Sequence, residues 1–116
     1  MHETQGKHLF ADFWKCDPQY LNNKAKVIRL LKLAAKKAGA TVIRTASFKF
    51  EPQGLTAVVL LKESHISCHT YPEFSFIAID IYTCGKTTNP YKGYLFLKKK
   101  LKPKKARRMM ILRGKR

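Results

Sequence analysis

Two apolar runs joined by a short polar cluster constrain this chain more than any other feature. Ala57-Val58-Val59-Leu60-Leu61 and Phe76-Ile77-Ala78-Ile79-Asp80-Ile81-Tyr82-Thr83-Cys84-Gly85 are rich in β-formers and read as strands. Between them lies Glu63-Ser64-His65-Ile66-Ser67-Cys68-His69-Thr70-Tyr71-Pro72-Glu73, with two histidines, two serines, a cysteine and two carboxylates in eleven residues. A strand that ends in such a cluster presents chemistry rather than packing. The two runs therefore read as the walls of a site, and the rest of the chain as its support.

Residues 7–15 are rich in aromatics and predict a strand, which Asp17-Pro18 breaks. Asn22 or Asn23 can cap a helix running to about Ala38, whose apolar positions Val27, Leu30, Leu31, Ala34, Ala35 and Ala38 recur at helical spacing. Gly39 suits the residue past its end. Residues 41–50 predict a second strand, Glu51-Pro52-Gln53-Gly54 a turn, and residues 55–61 a third strand. A short strand over 66–70 follows a tight connection at 63–65, and 76–83 makes the next. Asn89 caps a second helix with Pro90 at its first position, reaching about Leu101. Met109-Met110-Ile111-Leu112 fits an edge strand inside an otherwise basic tail. This order predicts an α+β two-layer sandwich, an antiparallel sheet with two helices on one face. The expected division is a domain over 1–103 and a basic tail over 104–116.

At 116 residues the chain is long enough for one core and too short for two. A hydrophobic fraction of 45% opposes disorder. No apolar run approaches the roughly 18–20 residues of a membrane span, and the first residues lack a signal-peptide pattern, so a cytoplasmic protein with no membrane partner is expected. Three cysteines without a Cys-x-x-Cys pair suggest neither a disulfide framework nor a zinc knuckle. Cys16 and Cys68 read as inert core thiols. His65 and His69 are spaced as H-x-x-x-H, but on a turn and strand with no third ligand, so no metal site is expected. The net charge of +17 is uneven: eleven of 24 Lys and Arg fall in 98–116, while four of seven acidic residues fall in 51–80. Such a tail attracts polyanions, and a small RNA-binding protein without enzymatic activity stays open as an alternative, as does nonspecific nucleic-acid binding added to another activity.

Glu63-Ser64 carries the sharper possibility. A serine in a strained turn can attack the carbonyl before it, converting the peptide to an ester. If a base then takes the serine α-proton, elimination cuts the chain, and hydrolysis leaves a pyruvoyl cap. His69 suits that base if the hairpin folds it back near the turn. On the residues alone, Ser64 capping a turn and His69 as an ordinary strand residue stay open.

Lys7-His8-Leu9, Phe50-Glu51-Pro52-Gln53-Gly54, Glu63-Ser64-His65-Ile66-Ser67-Cys68-His69-Thr70, Pro72-Glu73, Ala78-Ile79-Asp80 and Thr83-Cys84-Gly85 stand in the order and near-identical spacing of the prokaryotic, pyruvoyl-dependent S-adenosylmethionine decarboxylases. The chain resembles that family over about residues 6–103. The resemblance implies cleavage between Glu63 and Ser64, with Ser64 becoming the pyruvoyl group that forms a Schiff base with the substrate amine. It implies His69 as the processing base and Cys84 as the donor of a proton to the substrate α-carbon, a sensible task for a largely protonated thiol. Glu73 matches the carboxylate that binds the ribose hydroxyls, and Phe50 the aromatic that stacks on adenine beside a sulfonium. The implied product is decarboxylated S-adenosylmethionine for spermidine synthesis. A homodimer of processed protomers and independence of metals and pyridoxal phosphate are implied too. Thr56 stands where a serine hydroxyl assisting processing is expected, Tyr71 replaces a usual Trp, and Phe74-Ser75-Phe76 replaces a glycine-centred segment. Relatives on this scaffold act on arginine or ornithine, which leaves those substrates as alternatives.

Overall fold

The computed structural model describes residues 4–114. In chain order they form β1 (Gly6–Trp14), α1 (Lys24–Lys37), β2 (Val42–Lys49), β3 (Leu55–Leu61), β4 (Ser64–Tyr71), a single 3₁₀ turn (Pro72–Phe74), β5 (Phe76–Cys84), α2 (Pro90–Leu101) and β6 (Lys105–Arg113). The strands make one sheet in the order β2-β3-β4-β5-β1-β6, with every neighbouring pair antiparallel. No described helix is long and apolar enough to cross a membrane.

Both helices begin where the side chains allow. Asn23 Oδ1 accepts from the Lys26 N–H at 3.0 Å, and Asn89 Oδ1 from the Tyr91 N–H at 3.0 Å with Pro90 at the first helical position. The two helices pack on the same face of the sheet, α1 over β2, β3 and β4, and α2 over β1 and β5. Gly93 permits their contact, since a Cβ there would meet the Ala34 carbonyl oxygen at 3.1 Å. Strand alternation feeds this layer: Leu9, Ala11 and Phe13, Leu55, Ala57 and Val59, Ile66 and Cys68, and Ile77, Ile79 and Ile81 are all buried beneath the helices. This is the expected two-layer α+β sandwich.

The opposite sheet face has no covering layer among the described residues. Phe10, Phe48, Val58, Leu60, Met109 and Ile111 lie on it, exposed by 37 to 61%. An apolar face of this extent is unusual for an isolated protomer.

Two elements exceed their expected bounds. β4 begins at Ser64 rather than at 66, because Leu61 pairs with Ser64 and leaves only Lys62 and Glu63 as the hairpin loop. The expected edge strand over 109–112 is a nine-residue β6, paired with β1 from Gly6 opposite Arg113 to Trp14 opposite Lys105. Its charges hide this from a pattern reading. Several of them rest on rings: Arg108 lies 4.8 Å from the Tyr91 ring, Lys105 5.2 Å from Trp14 and Arg113 5.0 Å from Tyr82.

Candidate active site

The fold gathers the singled-out residues into two clusters rather than one. The first sits at the β3–β4 turn. Ser64 has φ 147°, a region that residues with a Cβ avoid, so the peptide before it is held in a strained turn. The carbonyl of that peptide, on Glu63, accepts two hydrogen bonds from one residue of β5. The Cys84 N–H donates at 2.9 Å and the Cys84 thiol at 3.1 Å. The Glu63 carboxylate is turned away and anchored, accepting from the Thr41 N–H at 2.8 Å and the Thr41 hydroxyl at 3.3 Å. Thr83 is the cross-strand partner of Ser64.

The second cluster lies at the far end of β4. Thr56 and His69 are cross-strand partners, with Thr56 Oγ1 and His69 Nδ1 3.0 Å apart, a bond that fixes the orientation of the ring. Phe50, beyond β2, is half-exposed and meets the Phe48 ring edge-on at 4.9 Å. Glu73 stands exposed in the 3₁₀ turn that follows β4.

His69 is not folded back to the Glu63-Ser64 turn. Both residues belong to one extended strand, and five residues at roughly 3.3 Å each set them about 16 Å apart. The alternation of β4 also sends His69 to the open face of the sheet, whereas Ser64 has the parity of the buried Ile66 and Cys68. Within one chain, Glu63, Ser64 and Cys84 meet, and so do Thr56 and His69, but the two sets do not.

A third group escaped the sequence reading. His8, on β1, stacks on Tyr82 at 5.0 Å, approaches His65 edge-on at 6.2 Å and places Nε2 3.5 Å from Asp80 Oδ1. Burial pushes the His8 pKa below its usual value, against the opposing pull of the Asp80 carboxylate. Lys7-His8-Leu9 was visible as a motif, but nothing local in it shows that β1 pairs with β5.

Cys84 differs from the other two cysteines. Burial pushes the thiols of Cys16 and Cys68 up to about 12, which keeps both protonated and inert. Cys84 is half-buried and engaged with the Glu63 carbonyl. Among the described residues no group of three or more His, Cys, Asp or Glu could hold a metal ion.

A small α+β sandwich that holds one strained serine peptide beneath a free thiol defines a class of protein built around a single backbone bond. Comparison with known proteins narrows the class. The chain belongs to the S-adenosylmethionine decarboxylase family, whose pattern matches residues 7–114. It is 46% identical over 109 residues to the S-adenosylmethionine decarboxylase proenzyme of Methanococcus aeolicus, covering 94% of this chain and 93% of that one. It is 38% identical over 113 residues to the proenzyme of Thermosipho africanus, covering 97% and 87%. The crystal structure of the adenosylmethionine decarboxylase from Aquifex aeolicus superposes with a TM-score of 0.90 at 35% identity, over 98% of this chain and 94% of that one.

Proposed function

We propose that this chain is a proenzyme that cuts itself between Glu63 and Ser64, and that the cut form decarboxylates S-adenosylmethionine. The observation that carries the reading is the Glu63 carbonyl, gripped by the Cys84 N–H and thiol beside a strained Ser64. When the Ser64 hydroxyl adds to the Glu63 carbonyl carbon, negative charge develops on the oxygen those two donors face. Donors already in place stabilise that charge without reorganising. Collapse breaks the C–N bond and leaves an ester. Removal of the Ser64 α-proton then breaks the Cβ–Oγ bond. This frees residue 63 with a new main-chain carboxylate that keeps the former hydroxyl oxygen, and leaves residue 64 as dehydroalanine, which tautomerises to an imine. Water replaces the remaining nitrogen, which departs as ammonia.

His69 is the base for the α-proton, and the Thr56 hydroxyl orients its ring. Since these groups lie about 16 Å from Ser64 in their own chain, a second copy must bring them. The uncovered sheet face provides the means, because Thr56 and His69 lie on it among Phe48, Val58 and Leu60. Two such faces packed together bury both apolar surfaces and set the His69 of one protomer against the turn of its partner. The active unit is therefore a homodimer with composite sites.

The pyruvoyl group supplies an electron-withdrawing carbonyl beside the substrate α-carbon, and the residues around the turn fit it: the Thr83 hydroxyl, buried and unpartnered among the described residues, faces the position where it forms. The chain's own groups do the rest. Cys84 holds a proton on Sγ and delivers it to the substrate α-carbon once carbon dioxide has left. Phe50 offers a half-exposed ring for the adenine, and the Glu73 carboxylate accepts from the ribose hydroxyls.

Incubation of the processed protein with S-adenosylmethionine, arginine and ornithine in parallel tests the substrate. Carbon dioxide release from S-adenosylmethionine alone is expected; release from either amino acid in its place overturns the assignment. Cys84→Ala separates the thiol's two tasks. Cutting slows about tenfold, since the stronger N–H donor stays, while decarboxylation falls about 10²–10³-fold for want of the proton. Denaturing gels over time read the first effect and carbon dioxide release the second. Unchanged turnover removes Cys84 from the reaction.

A further inference from the structure

Thr83 presents an anomaly that the processing scheme does not use. It is fully buried, at 0% exposure, and its Oγ1 has no hydrogen-bond partner among the described residues. A buried hydroxyl left unpaired destabilises a fold, and a valine of the same shape would avoid this. Neighbouring threonines show how such groups are ordinarily satisfied: Thr70 donates to the Leu21 carbonyl at 2.7 Å, and Thr88 to the Cys84 carbonyl at 3.0 Å. Thr83 alone of these buried threonines has nothing to bond.

Its position is specific. Thr83 is paired with Ser64, and the Cys84 N–H bond to the Glu63 carbonyl flanks that pair. The pair is thus of the narrow, non-hydrogen-bonded kind, in which Cα atoms approach to about 4.5 Å and side chains are closest. Both residues have the parity of the helix-covered face. Cutting changes what Ser64 offers across that gap. The amide nitrogen leaves as ammonia and the hydroxyl oxygen leaves with Glu63, so both donors disappear. The cap then carries a methyl group and two adjacent carbonyl oxygens, one its own and one from water, which only accept.

We propose that the Thr83 hydroxyl is a positioning group for the processed terminus, donating a hydrogen bond to a carbonyl oxygen of the cap that Ser64 becomes. The bond is unmade in the proenzyme and made after cutting. It fixes the rotation of the cap against β5 and so aims its keto carbon at the substrate amine. This inference rests on the self-cutting reading above.

Melting temperatures of four proteins test it without any activity measurement: the processed chain, the uncut Ser64→Ala chain, and each with Thr83→Val added. In the uncut background Thr83→Val leaves the melting temperature unchanged or raises it, because an unpaired hydroxyl is removed. In the processed background the same change lowers it by about 3–6 °C, because a buried carbonyl loses its donor. Thr83→Ser, which keeps the hydroxyl, brings the difference between the two backgrounds back to that of the native residue. Equal shifts in both backgrounds overturn the proposal, as does a Thr83→Val chain that fails to cut, since Thr83 would then act before the cap exists. A native chain that stays whole sinks the self-cutting reading as well; a native chain that cuts, with equal shifts, sinks this proposal alone.

Discussion

Ser64→Ala yields one uncut chain of 116 residues with decarboxylation below about 10⁻⁴ of the native rate. The native protein, in contrast, is expected to run on a denaturing gel as two fragments, 1–63 and 64–116, the second without a free N-terminal amine. The size of the effect follows from the kind of group removed. Losing a hydrogen-bond donor weakens a transition state by a few kcal/mol, as with the Cys84 thiol. Losing the Ser64 hydroxyl abolishes the nucleophile, and with it the route by which the electrophile of the later reaction is made. The fold does not depend on that hydroxyl, because the core beneath β4 is made by Ile66 and Cys68. Intact-mass measurement and circular dichroism on the same sample separate a folded, uncut chain from a misfolded one. A Ser64→Ala chain that still gives the two fragments removes Ser64 from the chemistry.

The second large effect appears only on mixing. His69→Ala slows cutting by about 10²–10⁴-fold, the range for loss of a positioned base. Alone, it and Ser64→Ala both remain uncut over the time in which native protein is processed. Co-expressed in equal amounts, they form mixed dimers in about half of the cases. Each mixed dimer contains one site that joins the Ser64 and Cys84 of the His69→Ala chain to the Thr56 and His69 of the other. About half of the His69→Ala chains are then cut, and none of the Ser64→Ala chains. A mass label on one chain identifies which is processed. Were the base to act within its own chain, mixing would produce no fragments at all. The strand geometry argues for the first outcome, since an extended strand cannot bring its sixth residue back to its first.

How much of this was legible in advance varies from element to element. α1 was readable because its cap, its apolar stripe and its terminal glycine all lie within one local stretch. β3 and β5 were readable from their apolar runs. β6 was readable only in part, at Met109 to Leu112, since its flanking charges look like tail until β1 is seen beside them. The candidate site was proposed as a set of residues through a resemblance in motif order. Its division into two ends of a sheet was not visible. His69 and Ser64 are five apart in sequence, and only the length and alternation of β4 turn that closeness into separation.

By itself the sequence determined the class of fold and singled out Ser64 as a candidate nucleophile, because those depend on periodicity, turn residues and short motifs. Only the tertiary structure decided that Cys84 grips the Glu63 carbonyl, that Thr83 faces Ser64 with nothing to bond among the described residues, and that Thr56 and His69 lie at the other end of β4 from Ser64. Such facts are cross-strand neighbours. They follow from sheet order and register, which join residues tens of positions apart, and no local pattern records which strand lies beside which.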